Sequence, residues 1–142
     1  MSDVSEGYKK IIKKVFVLLK EQGFAFKKDG ANFRFIDNSS FPKVAAVVNF
    51  QKSMYGTKDC ISFTVNLGVL LAYGNAPIPE RIKEYECPIR KRPASGTAKY
   101  PYDKWWEITE STDLDALYKE LHDLTMEEII PFFNKYRIQP YM

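Results

Sequence analysis

The spacing of apolar and polar positions divides the first half of the sequence into one helix and four strands. From Val4 to Leu19 apolar residues recur every three or four positions, which predicts a helix that ends near Gly23. Phenylalanines then alternate with polar residues on both sides of Asp29-Gly30, a pair that favours a tight hairpin turn. Residues 44–53 and 60–71 each place apolar residues at every second position, which gives each segment an apolar face. They predict two long, adjacent antiparallel strands.

The second half contains two weaker strand patterns, at residues 86–92 and 103–108. The prolines between residues 72 and 80 exclude a central strand from that stretch. Pro88 indicates that the strand at 86–92 is an edge strand or carries a bulge.

The C-terminal pattern predicts two helices. Leucines spaced for one helix face run through residues 111–124, and Thr125 with Glu128 has the spacing of a capping box that starts a second helix. Pro131 is expected to kink or shorten that last helix, because its missing N–H would have bonded one turn back. In sum, the pattern predicts a single α+β domain over residues 1–142. A mostly antiparallel sheet of about six strands packs one face on an N-terminal and two C-terminal helices.

Residues that alternate with the core positions form the predicted outer face of the sheet. On the last two strands we expect Cys87, Ile89, Trp106 and Ile108 to point inward, so Trp106 is core and Trp105 is displayed. Aromatic, amide and charged groups together are typical of binding sites, although a half-exposed sheet also carries such residues for its own stability. Ser62 is also predicted to point outward, and the nine residues predicted to bind a ligand or partner are Asn49, Gln51, Thr64, Asn66, Glu86, Arg90, Arg92, Trp105 and Glu107.

Composition places the chain among ordinary globular proteins, with 45% hydrophobic and 27% charged residues. The net charge of +3 hides an asymmetry, since residues 103–128 contain nine acidic residues and two lysines. An acidic end repels polyanions, so nucleic acid is an unlikely class of partner. The basic run at residues 90–92 is too short to change that expectation.

The sequence has no run of apolar residues that predicts a membrane span, and its first helix is interrupted by lysines, unlike a signal peptide. Cys60 and Cys87 have neither CxxC spacing nor neighbouring histidines. We therefore expect reduced thiols in a cytoplasmic protein that uses no metal and no cofactor.

Catalytic groups are sparse. The only histidine, His122, lies in a charged helix with no nucleophile beside it. Glu86 and Glu107 make an acid/base pair only if their strands are neighbours and share a face. The sequence shows no other arrangement typical of a catalytic site.

Four segments, VVNFQKS, SFTVNLG, ECPIRKR and DKWWEI, occur in an order and at separations that resemble a bacterial domain-of-unknown-function family of the DUF4304 type. The resemblance covers nearly the whole chain. It implies a bacterial, cytoplasmic, single-domain protein, and it provides no activity or site residues that can be transferred.

Three hypotheses of function follow. The first is a binding module, of which a toxin-neutralising immunity protein is one form, whose polar sheet face and loop 93–102 recognise a protein or a small anionic ligand. The second is a small enzyme that uses Glu86, Glu107 and Arg90 around a pocket beside Trp105. The third is a homodimer joined through the sheet, with Trp105 at its centre.

Overall fold

A computed structural model describes residues 3–39, 41–75, 77–93 and 103–136 of the chain. Within these ranges, none of the helices combines the length and the apolar character needed to cross a membrane. The elements are α1 (Asp3–Glu21), β1 (Lys27–Asp29), β2 (Asn32–Asp37), β3 (Lys43–Lys52), β4 (Ile61–Ala72), a 3₁₀ turn (Glu84–Glu86), β5 (Ile89–Lys91), β6 (Trp106–Ile108), α2 (Leu114–Leu124), a π-helical turn (Thr125–Ile129) and α3 (Ile130–Tyr136).

The six strands form one antiparallel sheet, which confirms the predicted α+β class. Strands β1 to β4 follow one another in space, and β3 and β4 pair along ten residues, from Lys43 opposite Ala72 to Lys52 opposite Phe63. Both β5 and β6 pair with the other edge of β4, where they lie end to end. These two strands are shorter than the sequence pattern predicted.

One face of the sheet packs on the helices, as the apolar spacing predicted. Phe33, Phe50 and Phe63 are fully buried there, and the ring of Tyr8 from α1 meets Phe63 edge-on at 5.3 Å. Helix α1 ends where Gly23 adopts a φ of 92°, a conformation that glycine tolerates better than other residues. The predicted core face and the predicted end of α1 are both confirmed.

The C-terminal region differs from the two predicted helices, because α2, the π-helical turn and α3 form one continuous helix. Thr125 does not cap a new helix; its hydroxyl donates to the carbonyl of Leu121, one turn back. The backbone N–H of Ile130, immediately before Pro131, donates a hydrogen bond to the carbonyl of Thr125, five residues earlier. This wider turn adjoins the proline, whose ring would clash with the carbonyl four residues earlier in a regular helix.

A second, smaller core covers part of the outer face of the sheet, which the sequence pattern did not predict. Ala45 and Val47 on β3 contact Ile82 and Cys87, which belong to the connection between β4 and β5. Gly68 permits this close approach, because a Cβ at that position would lie 2.9 Å from both the Cβ and the Sγ of Cys87. The outer face is therefore apolar and covered at one end and polar at the other.

The prediction that Cys87 points into the helix-facing core is wrong. Cys87 lies between the 3₁₀ turn, which ends at Glu86, and β5, which begins at Ile89. Because Cys87 is not part of a strand, the alternation of side chains along β5 does not determine which face it occupies. Ile89 does pack against the helix-facing core, as expected. Cys87 instead lies on the opposite face, 3% exposed.

We expect Cys87 to be unreactive in the folded protein. Burial, with the charges of Glu84 and Glu86, raises the pKa of its thiol to about 11. At pH 8 only about one thiol in a thousand is then the reactive thiolate. Titration with an aromatic disulfide reagent at that pH should detect half-buried Cys60 before unfolding and both cysteines after it. A folded Cys60→Ser variant should show no reaction with the reagent. Rapid labelling of that folded variant would contradict the burial of Cys87.

Candidate functional site

Four amide side chains form a hydrogen-bonded ladder across the polar end of the outer face. Asn49 donates to Asn32 at 2.9 Å, and Asn66 donates to Asn49 at 3.1 Å and to Gln51 at 2.9 Å. The ladder arises because the strand register places Asn32 opposite Asn49 and Asn49 opposite Asn66. Asn66, only 5% exposed, is thereby supplied with acceptors for both of its amide protons.

Hydrogen bonds hold the side chain of Arg92 on this ladder. Its Nε donates to Oδ1 of Asn66 at 2.9 Å, and its Nη1 donates to Oδ2 of Asp103 at 2.6 Å. Its Nη2 makes a longer contact of 3.4 Å with Oε1 of Gln51. The guanidinium carbon lies 5.8 Å from the centroid of the Trp105 ring, within the range of a cation–π interaction.

The two adjacent tryptophans leave the chain on opposite faces of the sheet. Trp106 is 3% exposed and stacks on Phe63 in the helix-facing core. Trp105 lies half-buried on the outer side. The hydroxyl of Thr64 donates a hydrogen bond of 2.7 Å to the carbonyl of Lys104, the residue before Trp105, and so fixes the backbone there. We call Gln51, Arg92, Asp103 and Trp105 the Trp105 surface.

Comparison with protein families gives one match, to the family described as Domain of unknown function (DUF4304), over residues 17–135. The chain belongs to the DUF4304 family. Neither the curated proteins nor the solved structures include a significant match. The matched range contains the ladder and the Trp105 surface, so both lie within the DUF4304 domain.

This DUF4304 domain brings together five of the nine residues predicted for the site, namely Asn49, Gln51, Asn66, Arg92 and Trp105, with Thr64 buried beneath them. The other three lie elsewhere. Arg90 makes a bidentate ion pair with Glu84, and Glu86 accepts the backbone N–H of Lys83 at the start of the 3₁₀ turn. Glu107 is exposed opposite Ser62 on β4.

The residues named for an enzyme site do not converge. Arg90 pairs with Gly68 and Glu107 pairs with Ser62, six residues apart on β4, which separates the two positions by about 20 Å. The backbone contact of Glu86 places it on the Arg90 side. His122 is half-exposed, and its Nδ1 lies 3.3 Å from Oδ1 of its neighbour Asp123. Across the described ranges, no three His, Cys, Asp or Glu side chains are grouped to hold a metal ion.

Sequence reasoning missed two members of the polar network, Asn32 and Asp103. Asn32 directly precedes the buried Phe33 in β2, so the alternation of side chains along the strand places Asn32 on the outer face. The sequence pattern could therefore have identified it. Asp103 precedes β6 and has no strand register that could have placed it. The proposed loop at 93–102 lies, after Pro93, outside the described residues.

Proposed function

We propose that this DUF4304 domain is a binding module that recognises a protein partner through the Trp105 surface. The observation that carries the proposal is that hydrogen bonds to Asn66 and Asp103 hold Arg92 within cation–π distance of a half-buried tryptophan. Tryptophan and arginine are the side chains that most often dominate the affinity of protein interfaces. Groups already held in place lose little conformational entropy on binding, which favours the complex.

The charge of this region supports a protein rather than a polyanion. The ion pair with Asp103 neutralises Arg92, and the exposed Glu107 lies two residues beyond Trp105. The turn between β3 and β4 presents Met54 and Tyr55, 84% and 87% exposed, at the same end of the sheet. Apolar area with balanced charge matches the composition of protein interfaces.

We place this function in the cytoplasm of a bacterium. Two free cysteines, one of them buried beside carboxylates, are compatible with a reducing compartment. An immunity protein that neutralises a toxin is one form of such a module. The separated positions of Arg90 and Glu107 give no comparable support to the enzyme hypothesis.

The test is partner capture by a Trp105→Ala variant. We expect capture from a lysate of the source cells to fall at least tenfold, because the variant removes the central aromatic contact and leaves Arg92 without its cation–π partner. The captured protein is then identified, purified and titrated against both chains. Circular dichroism should show that the variant remains folded.

A Phe41→Ala variant provides the matched control. Phe41 is 74% exposed and precedes β3, so it lies at the opposite end of that strand from Gln51. Its loss should leave capture unchanged. Equal capture by wild type and Trp105→Ala contradicts the proposal, as does unfolding of Trp105→Ala. Light scattering separates a further outcome: a dimer that dissociates in Trp105→Ala identifies the partner as a second copy of the chain.

A further inference from the structure

A cavity of about 730 Å³ lies near the β1–β2 hairpin, away from the Trp105 surface. Its size is within the range of small-molecule sites, and its walls combine apolar and charged groups, as such sites do. Ile36 and Ile78, which pack on the outer-face core, contribute apolar side chains. The ionisable residues around it are four cationic and two anionic: Lys27, Lys28, Arg34, Arg81, Asp29 and Glu80.

Arg34 is the most constrained of these groups. It is 6% exposed, although arginine is almost never buried without partners. Its Nε donates to the carbonyl of Ile82 at 2.7 Å and its Nη1 to Oδ2 of Asp29 at 3.1 Å. Its Nη2 is buried with no hydrogen-bond acceptor among the described residues. A buried charged donor without an acceptor is costly, so the positive charge of Arg34 favours an anion in the cavity that this residue lines.

Arg81 shares the carboxylate of Asp29 with Arg34. Its Nε and Nη2 lie 3.0 to 3.1 Å from the two carboxylate oxygens, while its side chain remains 73% exposed. Hydrogen bonds from Arg34 and Arg81 lower the pKa of Asp29, which therefore stays ionised and leaves this triad with a net charge of +1. The exposed Arg81 can turn from Asp29 to an incoming anion, and Asp29 then still has Arg34 as its counter-ion.

We propose that this cavity binds a small organic anion, a carboxylate or a phosphate ester with an apolar body. Arg81 contacts the anionic group, the buried charge of Arg34 stabilises it, and the wall formed by Ile36 and Ile78 contacts the apolar part. Arg34 lies on the same sheet face as the amide ladder, since it pairs with Val47 on β3. The site shares no residue with the Trp105 surface, so the two proposals stand or fall separately.

The experiment is isothermal titration of the full chain with two probes, phenyl phosphate and benzoate, which distinguish a phosphate from a carboxylate site. We expect saturable binding of at least one probe at one per chain. Inorganic phosphate should bind at least tenfold more weakly, and neutral benzyl alcohol should not bind. Amide and Arg34 Nε–Hε signals in NMR spectra should shift around Asp29, Arg34 and Ile78 but not around Trp105.

Arg81→Gln should weaken binding of that probe by about tenfold or more, because it removes a charge-assisted contact without disturbing the core. Lys119→Gln is the matched control: it removes one positive charge from another exposed ion pair, 79% exposed, on α2. Equal weakening by both variants overturns the site. So does the absence of saturable binding for both probes. Equal affinity for inorganic phosphate overturns the assignment to an organic anion.

Discussion

Replacing Trp106 with alanine should lower the free energy of unfolding by about 3–5 kcal/mol, whereas Trp105→Ala should cost about 1 kcal/mol or less. Trp106 is 3% exposed, stacks on Phe63 with ring centroids 5.8 Å apart, and donates its indole N–H to Glu120 at 3.0 Å. The alanine variant loses these contacts and leaves a cavity between β4 and α2. The Trp105→Ala variant loses a half-exposed ring and its contact with Arg92.

Urea unfolding followed by far-ultraviolet circular dichroism measures both variants without relying on tryptophan emission. A Trp106→Phe variant is the graded control, because it retains an aromatic ring against Phe63 and should lose less stability than alanine. Similar losses for Trp105→Ala and Trp106→Ala would contradict the assignment of one tryptophan to the core and one to the surface. The same Trp106→Phe chain leaves Trp105 as the sole reporter for acrylamide quenching, and that emission should be quenched.

Replacing Asn66 with alanine should lower the free energy of unfolding by about 2–3 kcal/mol and should also weaken partner capture. Asn66 is the central member of the ladder: it donates to Asn49 and Gln51 and accepts from Arg92. Without it, Arg92 loses one of the hydrogen bonds that hold it beside Trp105. The variant therefore tests whether the ladder positions the surface as well as stabilising the sheet.

Gln51→Ala is the control for this change. The side chain of Gln51 accepts a hydrogen bond from Asn66, but Gln51 is exposed. Water can therefore replace the lost acceptor, and the free energy of unfolding should fall by about 1 kcal/mol or less. Unfolding curves and titrations with the captured partner give the two readouts. If Asn66→Ala keeps full affinity while losing stability, Asn66 is structural, and Asp103 and Gln51 are sufficient to position Arg92.

Part of the polar network could be predicted because strands β3 and β4 are long and alternate apolar and polar residues at one end. Once Phe50 and Phe63 are assigned to the core, Asn49, Gln51, Thr64 and Asn66 must lie on the other face. The connection to β5 has no such periodicity. The orientation of Cys87 was therefore predicted wrongly, and the ion pair between Arg90 and buried Glu84 was not found at all.

The cavity near the hairpin was beyond sequence reasoning for a related reason. Asp29 and Arg81 are 52 residues apart and meet only because the connection after β4 folds back over the outer face. That path is set by the packing of Ile82 and Cys87 on Ala45 and Val47, contacts that no local pattern encodes.

The sequence by itself determined the α+β class, the central strands, α1 and the inward orientation of Trp106, because burial repeats with the period of each regular element. Only the tertiary structure decided that β5 and β6 share one edge of β4, that the C-terminal helix is continuous, and that part of the outer face is covered. These features depend on contacts between distant segments. Such contacts arise from the shape complementarity of packed surfaces rather than from the spacing of residues along the chain.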